Sequence, residues 1–266
     1  MKELLISELM TEKVNLLDSL CLLEQEIFNQ QPQQMDQVRQ MTDSLISQLT
    51  NIEEPLEQAE KVLDVLFVEK LMTDTPKSSY GVANHRLDYG LDFLNMAPTL
   101  KVMVLLHVIR ETGLNVDVVF VPDEMMIRIT CDDTYAVIFD CISGEPINWQ
   151  ELDQRLNQVS PNDAQLPLKG VEDNKLISQY LTSLKNALIR EQQFSQALTC
   201  VDILLALTPD DPYERRDRGF LLQQMDCYKV AFDDYRYFVE RCPQDPAAKI
   251  LQMQLDMFAQ TETVLH

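Results

Sequence analysis

The stretch LTPDDPYERRDRGF runs from Leu207 to Phe220, and its Pro-Asp-Asp-Pro, ending at Pro212, returns as Pro-Gln-Asp-Pro, ending at Pro246, 34 residues on. The same offset relates Phe194 to Tyr228, Ala197 to Ala231, Val201 to Tyr235, Leu204 to Phe238 and Asp211 to Asp245. Chance matches one such pair easily, but so many in a single register mark an internal repeat.

Around that register the apolar residues recur at the 3.6-residue period and predict helices over about Lys175–Glu191, Ser195–Leu207, Pro212–Met225, Lys229–Glu240 and Pro246–Ala259. Ala197 and Ala231 are small where two helices of a hairpin approach closely. Tyr235 and Phe238 fill the groove between them, and Pro209 and Pro243 stop each second helix. Helix pairs at this period are tetratricopeptide-like, so residues 175–266 read as an all-α region of two repeats and a capping helix.

Upstream, residues 1–76 carry amphipathic patterns broken at Pro32 and Pro55 and read as three or four N-terminal helices. Turn-forming residues and no apolar period make Thr73–Gly90 a long loop. A proline in the first turn opens a helix over Pro98–Thr112 that is apolar nearly all round and therefore belongs inside its domain. The period then changes. Val116–Val121, Met125–Thr130 and Thr134–Asp140 are short, rich in β-branched residues and separated by turns, an antiparallel meander followed by a short helix at Trp149–Leu156. These features define a domain over 77–158, with 159–174 as a linker.

Composition narrows the function. A net charge of −21 over 266 residues, with no basic arm, argues against nucleic acid and anionic membrane surfaces as partners. The first residues, MKELLISELM, lack the basic start of a secretory signal, which points to a cytoplasmic protein. The cysteines at 21, 131, 141, 200, 227 and 242 form no CxxC pair and read as buried reduced thiols. With His85, His107 and His266 as the only histidines and no carboxylate cluster at ligand spacing, neither a metal site nor a cofactor is expected.

The stretches APTLKVMVLLHVIRETGLNVDVVFVPDEMMIRI, VIFDCISGE, DPYERRDRGF and AFDDYRYFVERCPQDP together resemble a bacterial family that joins a transglutaminase-like core to C-terminal tetratricopeptide repeats. The resemblance implies an α+β fold: N-terminal helices, a papain-like core of buried helix and antiparallel sheet, then the repeats. It also implies where a catalytic Cys, His and Asp would stand. The nucleophile position falls near Leu100 or Val102, the histidine position at Glu124, and only the third survives, as Asp140. Leucine cannot attack a carbonyl, and Thr99 has no activating base. A carboxylate without its imidazole catalyses nothing, so Asp140 reads as a turn residue. A raised-pKa pair of Glu124, beside Asp123, with Asp140 is the remaining acid/base option.

In the repeats, Arg215, Arg216 and Arg218 stand out in an acidic chain, with Gly219 beside them allowing close packing. Helical geometry puts Arg215 and Arg218 on one face and Arg216 on another. Arg218 is thus expected to be structural, paired with Asp211 or Glu214 of its own helix, while Arg216, with Arg215, is the candidate to meet a protein or peptide partner, an acidic one being the class it fits. The reading favours a non-catalytic adaptor or regulatory protein, a pseudoenzyme. Its alternatives are a hydrolase or acyl transferase with a rebuilt site, and a small-ligand binder using the vestigial cleft.

Overall fold

The computed structural model describes residues 2–9, 11, 14–74, 77, 79–122, 124–159 and 168–264. In chain order the elements are α1 (Lys2–Leu9), α2 (Leu16–Phe28), α3 (Met35–Leu49), α4 (Pro55–Leu63) running into a π-helical turn (Asp64–Glu69), a 3-10 turn (Ala83–His85), α5 (Leu87–Phe93), α6 (Pro98–Arg110), β1 (Asn115–Val121), β2 (Glu124–Thr130), β3 (Ala136–Asp140), α7 (Trp149–Val159), α8 (Asp173–Arg190), α9 (Phe194–Leu207), α10 (Pro212–Gln224), α11 (Tyr228–Arg241) and α12 (Pro246–Val264). The α+β class holds: the chain is mostly helical with one small antiparallel sheet, in the order β1-β2-β3. Most boundaries fall within two residues of those read from the sequence. Asp123, His266 and the middle of the linker, 160–167, lie outside the described residues.

Two compact units divide the chain, one of Thr11–Gln25 and Asn29–Tyr180, the other of Met1–Met10, Glu26–Phe28 and Leu181–His266. The first is built on α6. Every residue from Leu100 to Ile109 except His107 is buried, because the helix packs on β1 and β2 with α3 against it as well. In the β1–β2 hairpin Val121 pairs with Glu124, and Met126 pairs with Asp140 across to β3. Part of the expected linker is ordered here: Val171 N–H donates to Val118 O at 2.7 Å, and Arg110 holds Asp173 with two bonds of 2.8 and 2.9 Å. The expected loop over Thr73–Gly90 is shorter than its composition implied. Leu87 starts a helix whose N-terminal amide donates to the buried Glu24 carboxylate, and Leu91 is buried one turn on.

The helices α3 and α4, read as part of a separate N-terminal region, contribute to this same unit. Glu24 is fully buried, with Arg86 Nε at 3.6 Å, and burial pushes its carboxyl up to about 7.

The second unit is the repeat region, and it also contains α1, which packs on α9 with Leu5 and Leu9 buried. The 34-residue offset has a structural meaning at each level. Asp211 Oδ1 accepts from Tyr213 N and Glu214 N to cap α10, and Asp245 Oδ1 accepts from Ala247 N at the start of α12. Each Asp precedes a proline in the first helical turn, where the missing N–H costs nothing. Gln192 and Asp226, again 34 apart, both take the left-handed conformation, at φ 58° and 60°, to turn one helix into the next. Ala197 and Ala231 are fully buried. Gly219 is needed for the approach of α10 to α11: a Cβ there would lie 2.7 Å from the Tyr235 ring and 3.0 Å from Ala231 O.

Candidate functional site

At the start of α6 the catalytic positions implied by the resemblance are filled by packing. Leu100 and Val102 are fully buried, and the Thr99 hydroxyl oxygen is out of solvent without a hydrogen-bond partner among the described residues. Between them stands Lys101, a residue the sequence hides inside an apolar run. Its ammonium donates to Met72 O and, at 2.8 Å, to Ile142 O, and sits 5.4 Å from the Phe67 ring centroid. Burial pulls its pKa down to about 8. Cys141, its neighbour, is also buried, and its thiol is pushed up to about 12, so it is not a thiolate near neutral pH.

Asp140 is a turn residue. Its Oδ1 accepts from Ile142 N at 2.8 Å, Ser143 N at 2.6 Å and Ser143 Oγ at 3.0 Å. That turn closes at Gly144, φ 79°, where a Cβ would strike the Phe67 ring. The carboxylate therefore shapes the loop that delivers the Ile142 carbonyl to Lys101. Lys101, in the first turn of α6, and the Asp140 turn are thus joined through Ile142, whose carbonyl accepts from the lysine and whose amide donates to the aspartate. The acid/base pair does not form: Glu124 is exposed and bound to Arg155 Nη1 at 2.7 Å, and Arg155 also holds Glu151 at 2.6 Å. No group of three His, Cys, Asp or Glu among the described residues is placed to hold a metal ion. Nor are all the thiols buried: Cys141 and Cys200 are, whereas Cys227 is exposed.

In the repeats the arginines divide. Arg218 Nε and Nη2 bind Asp234 at 2.7 and 2.6 Å, and Arg215 Nη1 reaches the same carboxylate at 3.5 Å while lying 4.9 Å from the Tyr237 ring centroid. Arg218 is thus structural, but its partner lies on α11 and is not Asp211 or Glu214 of its own helix. Asp211 caps that helix, and Glu214 and Asp217 each accept from Lys185 at 2.7 Å. Lys185 is 3% exposed; burial works against its charge, yet the two carboxylates outweigh that and raise its pKa. Neither Lys185 nor Asp234 was legible as a site residue, since nothing local in the sequence links them to α10.

Arg216 turns the other way. It is 33% exposed against 25% for Arg218, bonds Asp217 Oδ1 at 2.8 Å through Nη2, and lies over the rings of Tyr213 and Phe238 at 5.4 and 5.5 Å. It lines a groove of about 490 Å³ with Phe220 and Gln223 of α10 and Ile250, Leu251 and Gln254 of α12. Arg215, grouped with it in the sequence reading, is set apart from the groove by its hold on α11.

These features define a chain that carries a transglutaminase-like core and, after it, tetratricopeptide repeats. The transglutaminase-like superfamily model matches residues 32–196 and a tetratricopeptide repeat model matches 184–256. The chain belongs to the transglutaminase-like superfamily. It is 33% identical over 167 residues to a UPF0162 protein of Vibrio cholerae, a match spanning 61% of this chain and 62% of that protein. A UPF0162 protein of Pasteurella multocida is 31% identical over 201 residues, 72% of this chain and 73% of its own. Protein SirB1 of Salmonella typhimurium is 29% identical over 238 residues, 88% of this chain and 87% of its own.

Proposed function

We propose that this chain is a non-catalytic adaptor or regulatory protein of the cytoplasm that holds a protein or peptide partner in the groove between α10 and α12. The observation that carries the reading is the contrast between its two sites. Where the superfamily's chemistry would sit there are Leu100, a doubly bonded Lys101 and an arginine-bound Glu124. The repeats, by contrast, leave Arg216 lining a groove beside the exposed Phe220 and Ile250. An arginine flanked by apolar surface suits a segment that offers carboxylates next to apolar side chains. The net charge of −21 supports a partner that is neither nucleic acid nor an anionic membrane.

A photo-cross-linking residue at Gln223 in the full chain tests the proposal. It should trap a partner in cells, and Arg216→Glu should abolish the adduct. An adduct indifferent to that substitution, or a full chain that turns over an acyl substrate through one of its cysteines, overturns the reading.

A further inference from the structure

A stack of paired helices leaves its last helix with one face on its predecessor and the other in water, and a stack that ends in solvent normally carries polar residues on that outer face. On α12 the inner face is small or apolar, with Ala248 buried and Leu251 lining the groove. The outer face is apolar too: Ile250, Met253 and Met257 are 61%, 67% and 68% exposed. At spacings of three and four they form one narrow stripe along the helix, the pattern of a coiled-coil seam.

We propose that this stripe is the contact by which α12 pairs antiparallel with α12 of a second copy, about a twofold axis near Met253. The charges select that occupant. Lys249 and Asp256 flank the stripe on one side, seven residues apart and so about 10 Å along the axis. A twofold axis that reverses the helix sets Lys249 of one copy against Asp256 of the other, and the converse, so a single pattern complements itself. The chain as a whole carries −21, which keeps copies apart over most of their surface. The stripe and its flank are charge-balanced, which allows two copies to meet there. Gln254, on the opposite flank, belongs to the groove lined by Arg216, and of the stripe only Ile250 also borders that groove, so Met253, Lys249 and Asp256 probe the contact while Arg216 probes the groove.

Sedimentation velocity of the full chain over a concentration series is the test. A dimer is expected, with Met253→Lys weakening it at least tenfold. Lys249→Asp, which places Asp against Asp twice per dimer, weakens it by roughly tenfold, and adding Asp256→Lys restores it to within about twofold. Arg216→Glu leaves the dimer unchanged, which separates this contact from the groove. A monomer at all concentrations up to roughly 100 µM, a dimer indifferent to Met253→Lys, or a double charge swap that fails to recover association would each overturn the proposal.

Discussion

Arg218 of α10 grips Asp234 of α11 through two parallel hydrogen bonds, 2.7 and 2.6 Å long, around a carboxylate that is only 2% exposed. Bidentate pairs of this kind fix geometry as well as energy, and here the pair ties together the two helices that Gly219 lets approach. Removing the arginine leaves Asp234, among the described residues, with the longer contact to Arg215 at 3.5 Å. Arg218→Ala should therefore cost about 2–4 kcal/mol of unfolding free energy, by the logic of a broken buried pair. Arg216→Ala should stay within about 1 kcal/mol of wild type, as exposed pairs do. Denaturant titrations of the two variants check this, and equal losses would contradict it.

Lys101 should behave as a structural residue. Lys101→Ala removes the donor from the Met72 and Ile142 carbonyls and leaves a cavity beside Phe67, a combined cost of about 3 kcal/mol. A variant as stable as the parent would show that the lysine is held there for some other purpose.

Glu24 should make stability depend on pH in an unusual direction. Burial raises its carboxyl from 4.5 to about 7, so between those values the folded chain binds more protons than the unfolded one. Its contribution is fully present below about pH 4.5 and is lost as pH rises through 7. Relative to Glu24→Gln, which cannot ionise, wild type should lose up to about 3 kcal/mol between pH 5 and pH 8. Parallel stability profiles for the two proteins would rule this out.

The place of α1 in the repeat unit makes a prediction about fragments. A piece covering residues 175–266 keeps every repeat helix yet lacks α1, whose Leu5 and Leu9 are buried against that unit. It should melt lower and self-associate more than the same piece supplied with residues 1–10 in trans or by fusion. Identical melting curves would show that α1 contributes nothing to the repeats.

Which parts of this were legible in the sequence follows from how local each signal is. The strands announced themselves where the apolar period changed at Val116, and α6 where Pro98 opened an apolar run, because both patterns are set by neighbours along the chain. The repeat was legible through Asp211 and Asp245, each capping the helix that its own following proline starts. Helix α5 was missed because a seven-residue helix built on Leu87 and Leu91 is too short to show a period, and Gly90 within it reads as a breaker. At Gly90 a Cβ would meet the Met96 side chain at 2.6 Å, a constraint that only packing shows. The partner of Arg218 was misassigned for the same reason: helical spacing ranks Asp211 and Glu214 as neighbours and is silent about Asp234 on the next helix. Lys101 passed as an incidental charge, since only the fold brings the Met72 and Ile142 carbonyls to it.

A binding groove without chemistry can be put to fluorescence polarisation of a labelled peptide in which Asp and Glu alternate with Leu and Phe, titrated with the full chain and then weighed by mass spectrometry. Saturable binding is expected, at least tenfold weaker for Arg216→Glu, with the peptide recovered at its original mass. Equal binding by the two proteins would show that Arg216 does not hold the peptide, and a peptide cleaved or acylated after incubation with the wild-type chain would show that the chain is an enzyme.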